Sequence, residues 1–167
     1  MTKSGSEGSS LHSLCTCALF ILGDFMINDN LINKLVEAAE SAYSNNEIPV
    51  AAAVIDKSGN IISLCSNSRQ SNYSVLDHAE ITAIVSAEKS LGDWRLNGYS
   101  LVSTLEPCDM CSAIIKESRI DNVLYLLPRD TPYLYGDNLI NKQLVSGYEY
   151  EKKKLKRLLT IFFEERR

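Results

Sequence analysis

Residues 99–127 read YSLVSTLEPCDMCSAIIKESRIDNVLYLL. Two apolar runs, Tyr99–Leu105 and Asn122–Leu127, are typical of buried strands, and Cys108–Ser118 between them is typical of a helix. Two strands joined through a helix form a parallel pair, because the helix must carry the chain back before the next strand begins. This stretch therefore predicts an α/β fold.

The elements upstream extend the same sheet. Pro49–Ile55 and Ile61–Cys65 are short apolar runs on either side of the turn residues Asp56–Asn60, which predicts an antiparallel hairpin. Helices are predicted at Asn30–Tyr43, where apolar residues recur at helical spacing, and at His78–Leu91. Strands that alternate with helices predict an α/β sandwich in which the later strands are parallel and the opening pair is antiparallel.

The C-terminal part of the chain is less regular until its last element. Leu139–Val145 fits either a helix or a strand. The final helix is clearer, because its apolar residues recur at i, i+3, i+4, i+7 and i+8 and predict one stripe that faces the core. The members of this stripe are Leu155, Leu158, Leu159, Phe162 and Phe163.

Composition indicates one globular domain with an uneven charge. The chain has 167 residues, of which 45% are hydrophobic and 23% charged, and its net charge is −4. Glu149–Arg167 is nevertheless basic, which indicates either a polyanionic partner or simply a solvated helix face. Its basic cluster comprises Lys152, Lys153, Lys154, Lys156 and Arg157.

The first 25 residues differ from the rest. We predict that residues 1–25 are an extension, either mobile or upstream of the true start, and that 26–167 form the domain. The apolar stretch Leu14–Gly23 is about half the length that crossing a bilayer requires, so no membrane association is expected. Five cysteines, an odd number without a disulfide framework, favour a reducing cytoplasm.

Two short motifs carry residues that can bind a metal. His78-Ala79-Glu80 lies upstream of Pro107-Cys108-Asp109-Met110-Cys111. Cysteines three apart at a helix start share a face and can reach one ion, and the helix dipole favours their thiolates. His78 follows Asp77, a predicted N-cap, and the intervening helix and strand can return the chain to the same end of the sheet. We therefore predict that His78, Cys108 and Cys111 bind one zinc ion.

Three protein ligands leave one tetrahedral position open, as in catalytic zinc sites. Glu80, close by but not a ligand, is the predicted carrier of protons during hydrolysis. Two alternatives stay open at this point. The C-x-x-C pair is also typical of redox sites, and a structural zinc site would recruit a fourth ligand, for which Cys65 is the best candidate.

The pattern H-x-E…P-C-x-x-C is the signature of zinc-dependent nucleobase deaminases. Longer strings are more specific: EIPVAAAVID, DHAEITAI, DWRLNGYSLVSTLEPCDMCSAIIKESRI and FFEERR. With these strings the chain resembles the bacterial tRNA-specific adenosine deaminase family, a branch of the cytidine/deoxycytidylate deaminase superfamily. The resemblance extends over about Asn30 to Arg167.

The resemblance implies a three-layer α/β/α cytidine-deaminase-like fold with a mixed five-stranded sheet and helices on both faces. It implies a cytoplasmic, homodimeric hydrolase with one Zn²⁺ per subunit, which converts adenosine to inosine at the wobble position of a tRNA anticodon stem-loop. It also assigns the metal ligands above and the proton-shuttle role of Glu80. The substrate-binding residues that it implies are Asn67, which would hydrogen-bond the flipped base, Ala79 and Asp130.

Departures from the family pattern keep other functions open. Ala51 stands where the family usually has glycine, close to where a base would pack, and Thr131–Tyr135 replaces a Gly/Ala-rich loop. The pI of 5.2 is low for an RNA-binding protein. The alternatives are a deaminase of a free nucleobase or nucleoside, of the cytosine, guanine or cytidine type, and a non-catalytic zinc-binding module. The presence of Glu80 disfavours the module.

Overall fold

The computed structural model describes residues 20–22, 25–131 and 139–166. The predictions made for residues 1–19 and for residues 132–135 lie outside this described part of the chain.

Two short antiparallel strands, β1 (Phe20–Leu22) and β2 (Phe25–Ile27), lead into the first helix, α1 (Asp29–Ser44). Asn28 caps α1, because its side-chain oxygen accepts a hydrogen bond from the Leu31 amide at 2.9 Å. The helix agrees with the prediction to within one residue at each end. The buried face of α1 consists of Leu31, Ile32, Leu35, Val36, Ala39 and Ala42.

The central sheet is mixed and has five strands in the order β4-β3-β5-β6-β7. β3 is antiparallel to β4 and β5, whereas β6 is parallel to both of its neighbours, β5 and β7. The antiparallel opening pair and the parallel later strands agree with the prediction. Leu139–Val145, the segment that fitted either a helix or a strand, contains the short strand β7. The bounds are β3 (Ala51–Ile55), β4 (Ile61–Ser66), β5 (Ser100–Leu105), β6 (Asn122–Leu127) and β7 (Lys142–Leu144).

Helices cover both faces of this sheet. α1 and α5 (Glu149–Glu164) pack on one face, and α3 (Ala79–Leu91) and α4 (Asp109–Glu117) pack on the other. A single turn, α2 (Arg69–Asn72), lies between β4 and α3. The three-layer α/β/α fold is thus confirmed. None of the helices in the described ranges combines the length and the apolarity that crossing a bilayer requires.

The sequence of β3 shows why both layers form. Ala51 and Ala53 pack into the core beneath α1, and the alternate residues Ala52 and Val54 pack into the core beneath α3. Successive side chains of a strand point to opposite faces, so a strand without polar residues is buried on both sides. All four side chains are completely buried. Small alanine side chains let both helical layers approach the sheet closely.

The prediction that the whole apolar stripe of α5 faces the core is wrong. Leu155 and Phe162 are buried, whereas Leu158 and Leu159 are half-buried and Phe163 is 50% exposed. Helical spacing identifies an apolar face but does not show what covers it. In this protein Leu159 and Phe163 line a cavity at one edge of the sheet.

Candidate metal centre

The carboxyl ends of β4, β5 and β6 meet at one edge of the sheet, beside the amino end of β3. Segments that leave this edge line a cavity of about 540 Å³. Asn67 follows β4, Cys108 follows β5, Asp130 follows β6, and Val50 precedes β3. Ligands of α/β proteins bind at such an edge, and both sequence motifs are brought to it.

His78 is the residue that begins α3. It is the N-cap, with an extended backbone (φ −72°, ψ 145°), so it is not constrained to the side of the helix opposite Glu80. The prediction that Asp77 caps this helix is therefore wrong. Its carboxylate instead accepts hydrogen bonds from Asn72 Nδ2 at 2.6 Å and Ser74 Oγ at 3.0 Å, within the preceding loop. These two hydrogen bonds close the loop immediately before the histidine.

Cys108 has the same position at the start of α4. It is the N-cap, and its sulfur accepts a hydrogen bond from the Cys111 amide at 3.5 Å. The positive end of a helix dipole favours an anion at this position, which promotes the thiolate that zinc requires. Two helices therefore begin at the candidate metal centre, each with a potential ligand as its cap.

The three predicted ligand atoms converge. His78 Nδ1 lies 3.7 Å from Cys108 Sγ and 3.4 Å from Cys111 Sγ, and the two sulfurs are 3.4 Å apart. Usual zinc bond lengths give tetrahedral edges of roughly 3.6 Å between nitrogen and sulfur and roughly 3.8 Å between two sulfurs. The observed triangle fits a single zinc ion with small adjustments.

The pKa values of the two thiols also agree with a site that binds a cation. The hydrogen bond that the sulfurs share is the main reason why the pKa of Cys108 falls to about 4 and the pKa of Cys111 rises far above its ordinary range. Cys108 is thus readily a thiolate, the form that binds zinc. A divalent cation can bind both sulfurs at once and so replaces the thiol proton that remains on the pair.

Within the described ranges, this three-residue cluster has no fourth member that is a histidine, cysteine, aspartate or glutamate. Cys65 lies on β4, where burial raises the pKa of its thiol and Ser86 on α3 is its hydrogen-bond partner. Cys65 is therefore not placed to act as the fourth ligand of a closed structural zinc site. The geometry favours a centre with one position open to the cavity.

Glu80 lies in the first turn of α3 and lines the cavity, although only 4% of its surface is exposed. Burial raises the pKa of its carboxyl to about 7, while His78 opposes the rise. A carboxyl group with such a pKa can both accept and release a proton near neutral pH.

The other predicted site residues have different positions. Asn67 lines the cavity and is 5% exposed, and Asp130 is exposed at its rim. Ala79 is fully buried, and the cavity-lining residues among those described do not include it. Ala51 packs into the core beneath α1 rather than against the cavity, so this departure from the family pattern does not narrow the site.

Sequence reasoning missed the wall that α5 contributes. Lys156, Thr160 and Glu164 recur at i, i+4 and i+8 and line the cavity together with Leu159 and Phe163. The spacing of these residues could have shown a shared polar face. It could not have shown that this face lines the same cavity as the metal ligands His78 and Cys108.

The lysines of the basic cluster on α5 have different surroundings in the structure. Lys152 Nζ donates to the Val145 carbonyl at 2.6 Å, and Lys154 forms an ion pair with Glu40 at 2.7 Å. Lys156, by contrast, lines the cavity. Of these three lysines, Lys156 is therefore the one that borders the cavity.

Comparison with known proteins agrees with this geometry. The model of one protein family, the cytidine and deoxycytidylate deaminase zinc-binding region, matches residues 26–127, which include His78, Glu80, Cys108 and Cys111. The chain belongs to this deaminase family. Zinc is accordingly the metal that the triangle of His78, Cys108 and Cys111 is positioned to hold.

Several relatives of this deaminase-family chain are named tRNA-specific adenosine deaminases. It is 38% identical over 95 residues to the tRNA-specific adenosine deaminase of Rickettsia bellii, a match that covers 56% of this chain and 66% of the relative. The Bacillus subtilis enzyme of the same name is 37% identical over 101 residues, with 60% and 62% covered. The matches thus leave more than a third of each relative's length uncovered.

A solved structure from work on A-to-I editing by tRNA:A34 deaminases has a TM-score of 0.68 to this chain at 27% identity. The alignment covers 78% of this chain and 99% of that one. The cytidine-deaminase-like architecture is therefore shared over nearly the whole of the solved protein.

Proposed function

We propose that this chain catalyses the hydrolytic deamination of adenosine to inosine at the wobble position of a tRNA anticodon. The observation that carries the chemistry is the convergence of His78 Nδ1 and the sulfurs of Cys108 and Cys111 beside the buried carboxyl of Glu80. The named activity of the relatives, and the editing work on the similar solved structure, support adenosine in tRNA as the substrate.

His78, Cys108 and Cys111 would hold one zinc ion per chain. Zinc in such a site would act as a Lewis acid and lower the pKa of water toward neutral pH. The chain contributes rigidity, because two ligands are helix caps and the third lies in the first turn of α4.

Glu80 would move both protons of the attacking water. In the balanced reaction the water oxygen bonds to the amino-bearing carbon, the carbon–nitrogen bond breaks, and ammonia leaves. One proton must reach the adjacent ring nitrogen and the other the departing amine. Glu80 lies in the cavity beside the ligands, which is where a single carboxyl group can serve both transfers.

We assign substrate contacts to Asn67, Ala79 and Asp130. Asn67 lines the cavity and would meet the flipped base. Ala79 lies in the sequence between a ligand and the proton carrier and is fully buried, so its assignment rests on the resemblance to the deaminase family. Asp130 is exposed at the rim and would contact a neighbouring nucleotide.

We also propose a cytoplasmic homodimer whose deaminase domain is residues 26–167, preceded by an extension. The family match begins at Met26, which supports this boundary. Cys65, Cys108 and Cys111 are free thiols, as a reducing compartment favours. Exposed apolar side chains on and after α3, such as Leu91 and Trp94, supply surface that a second subunit could cover.

The alternative substrate is a free nucleobase or nucleoside, which the low pI favours. An anticodon stem-loop with adenosine at the wobble position should be deaminated on the order of 10²-fold faster than free adenosine. The reason is that remote contacts to the hairpin lower the barrier at the reacting base. Ammonia release from both substrates, measured as kcat/KM at equal zinc content, tests this expectation.

A hairpin with its adenosine one position away controls for recognition of the wobble site, and free guanine, cytosine and cytidine complete the panel. Faster turnover of any free base or nucleoside than of the wobble hairpin would reject the tRNA assignment and establish the alternative.

Lys156→Ser should weaken hairpin binding and reduce the slope of log Kd against log salt concentration by about one, because one phosphate contact is lost. Binding titrations between low and moderate salt measure this slope. Lys153→Ser is the matched control, since Lys153 is exposed on the same helix but does not line the cavity. Equal slopes for the two variants would show that Lys156 is only a solvated charge.

A further inference from the structure

Glu47 is a buried carboxylate that the proposed chemistry does not use. It lies between α1 and β3 with 2% of its surface exposed. Its two oxygens accept four hydrogen bonds: from Asn67 Nδ2 at 2.9 Å, from the Gln70 amide at 3.1 Å, and from the Ser71 amide and hydroxyl at 2.7 and 2.8 Å. All four donors are uncharged groups.

These donors keep the group ionised. Burial alone would raise the pKa of the Glu47 carboxyl, but the hydrogen bonds from Ser71, Gln70 and Asn67 outweigh burial and hold the pKa below its ordinary value. An ionised carboxylate accepts hydrogen bonds and donates none. Whatever contacts it must therefore present a donor.

This constraint settles the orientation of the Asn67 amide. The NH₂ end must face Glu47, because the carbonyl end would place two acceptors together. The backbone of Asn67 is also fixed, since its amide donates to the Val50 carbonyl at 2.9 Å. Among the described residues Oδ1 has no hydrogen-bond partner, so this oxygen is available to a molecule bound in the cavity that Asn67 lines.

The same carboxylate anchors the loop that precedes the first metal ligand. Gln70 and Ser71 belong to α2, and the loop closes where the Ser68 amide donates to the Asp77 carbonyl at 3.0 Å, one residue before His78. Glu47 therefore connects a residue at the substrate cavity with the segment that delivers the histidine.

We propose that Glu47 is a positioning residue that acts through Asn67, fixing its amide so that Oδ1 accepts a hydrogen bond from a donor group of the substrate. This inference rests on the proposed function only in taking a nucleobase or nucleoside as the occupant of the cavity. Glu47 itself need not touch the substrate, because the Asn67 side chain lies between the carboxylate and the cavity.

A double-mutant cycle tests the proposal. Asn67→Ala should lower kcat/KM by roughly 10-fold or more, and Glu47→Gln should lower it by a similar factor, since glutamine no longer dictates which end of the amide faces it. The loss should appear mainly as a raised KM with kcat nearly unchanged, as expected for a lost binding contact. The double variant should be no worse than Asn67→Ala, within about twofold.

Ser71→Ala is the matched control. It removes one hydrogen bond from the same carboxylate but leaves the contact between Glu47 and Asn67 intact. It should therefore retain KM, although its thermal unfolding temperature falls. Zinc content should be unchanged in every variant. If Glu47→Gln does not fold, Glu47→Asp takes its place in the cycle, because its shorter side chain draws the carboxylate away from Asn67 Nδ2 and should raise KM only while Asn67 is present.

Additive losses in the double variant, or an unchanged KM in Glu47→Gln, would overturn the proposal. Hairpin dissociation constants measured in parallel give the same cycle without turnover. A wild-type protein that binds but does not deaminate the hairpin would reject the proposed function, while the cycle on binding would still decide the role of Glu47.

Discussion

Glu80→Gln is expected to lower kcat by about 10²- to 10⁴-fold, the usual contribution of a positioned acid–base group. Glutamine fills nearly the same space, so the cavity and the ligand triangle should persist, but its amide cannot carry the two protons that hydrolysis must move. Ammonia release and zinc stoichiometry, measured on the same preparation, check this expectation.

Glu88→Gln is the matched control, because Glu88 is a glutamate two turns further along α3 that does not line the cavity. It should retain full activity. If Glu80→Gln kept its turnover with zinc bound, another group would have to be the proton carrier.

Cys108→Ser should abolish turnover and reduce zinc content to well below one ion per chain. Serine is a much poorer zinc ligand than a thiolate, and it leaves only His78 and Cys111 in the triangle. The variant should also unfold at a lower temperature, because a ligand that binds only the native state stabilises it. Metal analysis and thermal unfolding, with and without added zinc, measure both effects.

Cys65→Ser provides the same substitution at a half-buried thiol outside the triangle. It should keep its zinc and its activity. Should Cys65→Ser lose zinc as Cys108→Ser does, Cys65 would belong to the centre, and the site would be a closed structural one.

The layered fold and the ligand triangle follow from short-range patterns that can be read in the sequence. An apolar strand such as β3 must be covered on both faces, and the path from His78 to Cys108 must return to the same edge of the sheet. Local spacing and alternation are sufficient for these predictions.

Features that depend on distant partners could not be predicted in this way. Leu159 and Phe163 of α5 line the cavity, and Lys154 forms an ion pair with Glu40 on α1. In the sequence Glu47 looks like an ordinary surface residue. Only the structure shows that the backbone amides of Gln70 and Ser71 on α2 donate hydrogen bonds to its carboxylate. The N-cap of α3 is His78 rather than the predicted Asp77, because the carboxylate of Asp77 accepts hydrogen bonds within the preceding loop.

The walls of the cavity come from helices on opposite faces of the sheet, which has a consequence for how the cavity can be altered. The metal ligands come from the layer of α3 and α4, whereas Lys156, Thr160 and Phe163 come from α5 in the other layer. Residues on α5 can therefore change while the caps of α3 and α4 stay intact. A different cavity wall can thus be obtained by exchanging the surface of one helix, with the three metal ligands and Glu80 left in place.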